Sequence, residues 1–95
     1  MESEIRHERS GHRGAFVWQD GGRRLAEMTY TVAGSRVIID HTQVDESLRG
    51  KGIGAKLVLA AVEWARAEDA QLMPLCPYAK SVFDKTPGYG DVLAK

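Results

Sequence analysis

Arg49-Gly50-Lys51-Gly52-Ile53-Gly54 is the stretch on which the fold of this chain turns. It stands between a segment dense in β-branched residues, Arg36 to Val44, and a long apolar segment, Gly52 to Glu68. Glycines at alternate positions let the backbone take φ values that other residues resist, and let a ligand come close. A helix that begins at such a turn leaves its first N–H groups without intrahelical acceptors, and its dipole favours negative charge there. Phosphate is the guest that such a turn suits.

Upstream, Leu25 to Val32 alternates, with Ala26, Met28, Tyr30 and Val32 on one side and Glu27, Thr29 and Thr31 on the other. That pattern predicts a half-buried strand. Arg36 to Val44 is a second strand, and the short loop Ala33-Gly34-Ser35 joins the two as an antiparallel hairpin. Ala15 to Gln19 is an earlier strand, closed by the turn signal Asp20-Gly21-Gly22, and Glu4 to Arg9 is a weaker candidate before it. The first half therefore reads as an antiparallel meander.

Downstream the period changes. Ile53, Leu57, Ala61, Trp64 and Ala65 fall on one helical face, and Ala55, Leu59 and Val62 widen it. Lys56, Glu63 and Arg66 form a narrow polar stripe, so this helix is expected to pack against the sheet. Gln71 to Leu75 is a short strand stopped by Pro77, and a helix before it predicts a parallel crossover onto Arg36–Val44. Tyr78 to Lys85 reads as a second helix with Tyr78, Val82 and Phe83 turned inward, ended by Pro87-Gly88. The fold class is α/β (α+β): a meander leading into a βαβ crossover with a short C-terminal helix.

The 95 residues make one small domain, residues 1–95. Thirteen basic and thirteen acidic side chains cancel, which gives no support to a broad nucleic-acid footprint. One cysteine, Cys76, cannot form an intrachain disulfide. The N-terminal residues Met1 to His7 are charged and lack the apolar stretch of a signal peptide, and the run Leu57 to Val62 is too short to span a bilayer. A cytoplasmic domain without membrane or nucleic-acid partners is expected. His7 and His12 lie in a polar segment, read as solvated, and two scattered histidines make no metal site.

Three readings of the glycine turn compete. A P-loop needs Gly, four residues and Gly-Lys followed by Ser or Thr, and no such string occurs. A dinucleotide fingerprint fits Gly50, Gly52 and Ala55 only by force, since an antiparallel meander is the wrong context. A turn that is merely tight is the third.

The whole string carries more. Arg49-x-x-Gly52-x-Gly54, preceded by Val44-Asp45-Glu46-Ser47-Leu48 and followed by the apolar helix, resembles motif A of the GNAT superfamily of N-acetyltransferases. Together with Pro74-Leu75-Cys76-Pro77-Tyr78-Ala79-Lys80 and the pair His41-Thr42, it is similar to the small single-domain YjdJ-type branch of that superfamily. The resemblance runs from about Leu25 to the end of the chain. It implies a GNAT-like, acetyl-CoA-binding domain, with acetyl-CoA as co-substrate and its pyrophosphate on main-chain amides. Val44, Arg49, Gly50, Lys51, Gly52, Ile53, Gly54 and Phe83 are the implied cofactor residues. Lys80 is a candidate for added charge, as are Lys51 and Lys56, although Lys56 lies on the solvated stripe. Arg49 acts there through its backbone or its side chain. Ordinary members are longer, with extra helices after the first strand, and nothing between Gln19 and Leu25 supplies them.

Two residues are candidates for chemistry. Cys76 follows a strand and precedes a helix, where a thiolate is favoured, and the resemblance implies a catalytic cysteine there. Its bland alternative is a small buried hydrophobe. His41 is the candidate base, since imidazole titrates near neutral pH and the resemblance puts it beside the cofactor strand. Direct attack of an amine on the thioester and transfer through an acetylated Cys76 both remain open. The expected activity is acetyl transfer to an amine, carried on a small molecule or a protein. The alternative is a non-catalytic module that binds or senses acyl-CoA.

Overall fold

The computed structural model of the chain describes residues 3–94, with side chains from residue 5 onward. Strands β1 (Ser3–Ser10), β2 (Arg13–Asp20), β3 (Arg23–Ala33) and β4 (Arg36–Val44) form the antiparallel meander. Helix α1 (Ile53–Glu68) then crosses to β5 (Gln71–Pro74), which runs parallel to β4, and helix α2 (Pro77–Lys85) follows. The sheet order is β1-β2-β3-β4-β5. A 3-10 turn, Glu46–Leu48, links β4 to the glycine stretch, and a second, Pro87–Val92, follows α2. The predicted mixed class and the parallel crossover are what the chain builds.

The weak candidate before Ala15 is a full strand. It pairs with β2 at every position from Ser3↔Asp20 to Ser10↔Arg13. Its sequence alternates poorly because much of its stability comes from rings on other strands. His7 stacks on Phe16, with centroids 4.2 Å apart, and meets the edge of Trp64 at 4.9 Å. The Tyr30 hydroxyl and His7 Nε2 share a hydrogen bond at 2.5 Å. His7, expected to be solvated, is exposed and at the same time part of an aromatic cluster that ties β1 to β2, β3 and α1. The Tyr30 ring in turn lies on Gly14, where a Cβ would overlap it.

Burial, helped by the Arg9 charge, holds the His7 pKa below its ordinary value. The fold therefore prefers neutral imidazole, and the unfolded chain binds the proton more readily. Stability is fully present above the unfolded histidine value of about 6.5 and falls as pH drops below it, levelling under the folded value. The urea midpoint of the wild type should decline from pH 8 to pH 5 more than that of His7→Phe, which keeps the stack and loses the proton site. Equal declines would show that His7 titrates alike in both states.

One core unites the layers. Met28, Tyr30, Val37 and Ile39 of the sheet pack against Ile53, Leu57, Val58, Ala61, Val62 and Ala65 of α1 and Ala79 and Phe83 of α2. The α1 seam is rotated from the expected one: Val58 is fully buried, whereas Ala55 is exposed and Leu59 is 39% exposed. Pairs four apart, such as 53/57 and 54/58, set the contact with the sheet. In α2 the buried pair is Ala79 and Phe83, so Tyr78, expected inward, stands 41% exposed beside the glycine stretch.

Among the described residues, no helix covers the opposite face of the sheet. Val17 lies there with 0% exposure. Arg24 of β3 reaches across β2 to make two hydrogen bonds with Glu8 of β1, at 2.8 and 2.9 Å. Among the described residues, no helix is long and apolar enough to cross a membrane.

Candidate active site

The site begins as a break in the sheet. Strands β4 and β5 pair only from Arg36↔Gln71 to Ile39↔Pro74. Past that point the amides of Leu75 and Cys76 both donate to the Ile39 carbonyl, at 3.0 and 3.1 Å, and α2 carries the chain away. Strand β4 also bulges here: Thr29 pairs with His41 and Tyr30 with Ile39, so Asp40 is the extra residue. A bulge bends its strand and puts two successive side chains on one face. Asp40 and His41 consequently point to the helix-free face, and Thr42 returns to the helix side. Since the Asp45 amide donates to Leu25 of β3, alternation turns the main-chain groups of Thr42 and Val44 away from β3, into the gap.

That gap is an open cleft of about 360 Å³, lined by Thr42, Gln43, Val44, Leu48, Arg49, Gly50, Gly52, Ile53, Gly54 and Tyr78. The loop below it is held by Asp45, whose carboxylate accepts from the Ser47 amide at 3.0 Å and the Ser47 hydroxyl at 2.5 Å. Gly50 and Gly52 take left-handed φ values of 81° and 74°. Gly52 is the N-cap of α1, and no side chain caps that helix. The first-turn amides of α1 therefore face the cleft without intrahelical acceptors. This is the chemistry a pyrophosphate needs. Tyr78 closes the far wall: a Cβ on Gly54 would lie 2.5 Å from its ring, so only glycine admits the ring there.

Cys76 is the N-cap of α2, 6% exposed, with Sγ 3.4 Å from Thr42 Oγ1. Burial by itself pushes the thiol up. The Thr42 hydroxyl and the amides of Ala79, Tyr78 and Thr42 outweigh it and hold the thiol below its ordinary pKa. A thiolate is thus favoured between two residues, Thr42 and Tyr78, that line the cleft.

Of the expected cofactor residues, Val44, Arg49, Gly50, Gly52, Ile53 and Gly54 line the cleft. Lys51 and Lys80 are exposed and outside its lining. Phe83 is buried in the core, its ring 5.7 Å from that of Tyr89, and lies outside the lining of the cleft. Lys56 sits over the Trp18 ring at 5.4 Å. Thr42, Gln43, Leu48 and Tyr78 join the cleft without having been expected among the cofactor residues, and Cys76 lies outside its lining. The His41 and Cys76 side chains are not brought together, since the bulge sets them on opposite faces. His41 is accordingly not placed to deprotonate Cys76. Among the described residues no group of three His, Cys, Asp or Glu side chains is arranged for a metal ion.

The sequence model described as GCN5-related N-acetyl-transferase matches residues 15–92. The chain belongs to this family. It is, with the family, an acetyl-CoA-dependent acetyltransferase of mixed α+β fold. Human Protein NATD1 is 31% identical to it over 85 residues, 87% of this chain and 75% of that protein. The chicken protein is 28% identical over 88% of this chain and 76% of its own length. A GCN5-like protein from Staphylococcus aureus, solved by NMR, is 35% identical, with a TM-score of 0.71 over 96% of this chain and 87% of that one. The ribosomal-protein-S18-alanine N-acetyltransferase of Escherichia coli shares the fold at 13% identity, with a TM-score of 0.69. This chain aligns over 81% of its own length and 53% of that enzyme.

Proposed function

We propose that this chain transfers the acetyl group of acetyl-CoA to an amine through the cleft between β4 and α1. The amides of Gly50 to Gly54 would hold the pyrophosphate, the main-chain groups of Thr42 and Val44 the pantetheine arm, and Thr42, Tyr78 and Cys76 would surround the thioester. Acetyl-CoA supplies the acetyl group already activated as a thioester. The observation that carries the reading is that one cleft is lined by an uncapped helix start and by Thr42 and Tyr78, which hydrogen-bond the Cys76 thiol behind that wall and lower its pKa.

Cys76 then acts first. Its thiolate forms a bond to the acetyl carbon, the bond from that carbon to the departing sulfur breaks, and the Tyr78 hydroxyl gives that sulfur a proton. Tyr78 regains its proton from water. In the second half the acceptor nitrogen bonds to the acetyl carbon of acetyl-Cys76, the Cys76 carbon–sulfur bond breaks, and thiolate returns. His41, on the open face, takes the proton lost by the nitrogen and passes it to water. Direct attack on the thioester is the second reading, favoured by the 6% exposure of Cys76.

The test pairs binding with transfer. CoA should raise the unfolding temperature in a concentration-dependent way. Radiolabelled acetyl-CoA should label Cys76 transiently and an amine or peptide acceptor durably. No thermal shift at ligand levels far above micromolar, or no labelled acceptor across a broad panel, would overturn the function. A labelled acceptor with no trace on Cys76 selects direct transfer.

A further inference from the structure

We infer that the acceptor is the side-chain amine of a protein lysine, received on the helix-free face of the sheet and anchored by the Asp40 carboxylate. The inference rests on the transfer reading above. The cleft on the helix side is shaped for the acetyl donor, so a second reactant reaches the gap between β4 and β5 from the other face. There the bulge presents Asp40 and His41 side by side. The hydroxyls of Thr29 and Thr31 donate to the two Asp40 oxygens, at 2.5 and 3.2 Å, and fix the carboxylate while it stays exposed to solvent. An orientation held from behind in this way leaves the outward lone pairs for a cation.

Beside the same spot is Leu75, the residue after β5, which is 62% exposed and whose amide donates to the carbonyl of Ile39, the neighbour of Asp40. A carboxylate beside an exposed leucine matches an ammonium on an aliphatic stem, which is the make-up of a lysine side chain. Small molecules are held in concave sites that bury most of their surface. Asp40 and His41 stand instead on an open sheet face, with the exposed Leu75 following the neighbouring strand, which suits an amine carried by a larger body. In sequence, Asp40 gathers the ammonium, and His41 takes one proton from it and passes that proton to water. The neutral nitrogen then bonds to the acetyl carbon as the carbon–sulfur bond breaks and the thiolate leaves, with His41 taking the nitrogen's second proton.

The experiment follows initial rates with an N-terminally blocked peptide containing one lysine, and with cadaverine as the small-molecule comparison, for wild type, Asp40→Asn and Leu75→Ala. Asp40→Asn should raise KM for the peptide about tenfold or more, with kcat little changed, from loss of one charge-assisted contact. Leu75→Ala should raise KM a few-fold. CoA-induced stabilisation should be that of wild type in both variants, which separates acceptor recognition from damage to the fold. An unchanged peptide KM in Asp40→Asn would overturn the inference, as would a kcat/KM for cadaverine equal to that for the peptide. Acetyl-Cys76 formed without transfer to the peptide overturns it too, and leaves the cleft assignment standing. Absence of any CoA shift in the wild type sinks both.

Discussion

Replacing Gly52 with valine should abolish the CoA-dependent rise in unfolding temperature while the chain still folds. Gly52 sits at φ 74° as the N-cap of α1, a conformation that a β-branched residue adopts only under strain. Such strain costs about 1–3 kcal/mol, against a typical domain stability of about 5–15 kcal/mol. The fold therefore survives with a lowered midpoint. Nothing lies within 4 Å of a Cβ built at this position, so the new side chain projects into open space. Gly52 itself lines the cleft, and that space is where the proposed function puts the pyrophosphate. Losing two charge-assisted hydrogen bonds of about 1.5–3 kcal/mol each lowers affinity by about two to four powers of ten. Calorimetry or thermal shift at a fixed CoA concentration reads this directly. A Gly52→Val protein that binds CoA as the wild type does would move the phosphate site elsewhere.

Cys76→Ser should lower kcat by about 10²–10⁴-fold, the range for losing one positioned reactive group, with the CoA response intact. Serine is itself a favoured N-cap, so α2 is not weakened by the change. The loss is chemical: a serine hydroxyl ionises far less readily than the Cys76 thiol, whose pKa Thr42 and three amides hold below its ordinary value. Alkylation of the wild-type thiol should accordingly be fast at neutral pH, and Thr42→Val should shift its pH profile upward by removing the hydroxyl 3.4 Å from Sγ. If Cys76→Ser keeps a rate within a few-fold of wild type, direct transfer replaces the covalent route.

Much of this molecule is legible along the chain. The alternation of Ala26, Met28, Tyr30 and Val32, the break at Gly34 and the change of period after Gly52 each report a local preference, and β3, β4 and α1 form where those preferences point. Strand β1 is the counter-example. Its hydrophobic pattern is weak, and it is held by the His7 ring against Phe16 and Trp64, contacts made with residues 9 and 57 positions away in sequence. Phe83 and Tyr78 show the same limit within one helix. Both are apolar enough to be buried, and the rotation of a nine-residue helix sends Phe83 into the core and Tyr78 to the cleft.

Sequence alone determined the order of strands and helices, the glycine turn with its phosphate preference, and Cys76 at a helix start, because each depends on backbone chemistry within a few residues. Tertiary structure alone decided which side of the sheet each reactive group serves. One bulge at Asp40 places two successive side chains on the same face, so His41 and Asp40 stand opposite Cys76. A one-residue irregularity leaves no mark in a pattern read two residues at a time, yet it divides the face proposed for the acceptor from the cleft proposed for the donor.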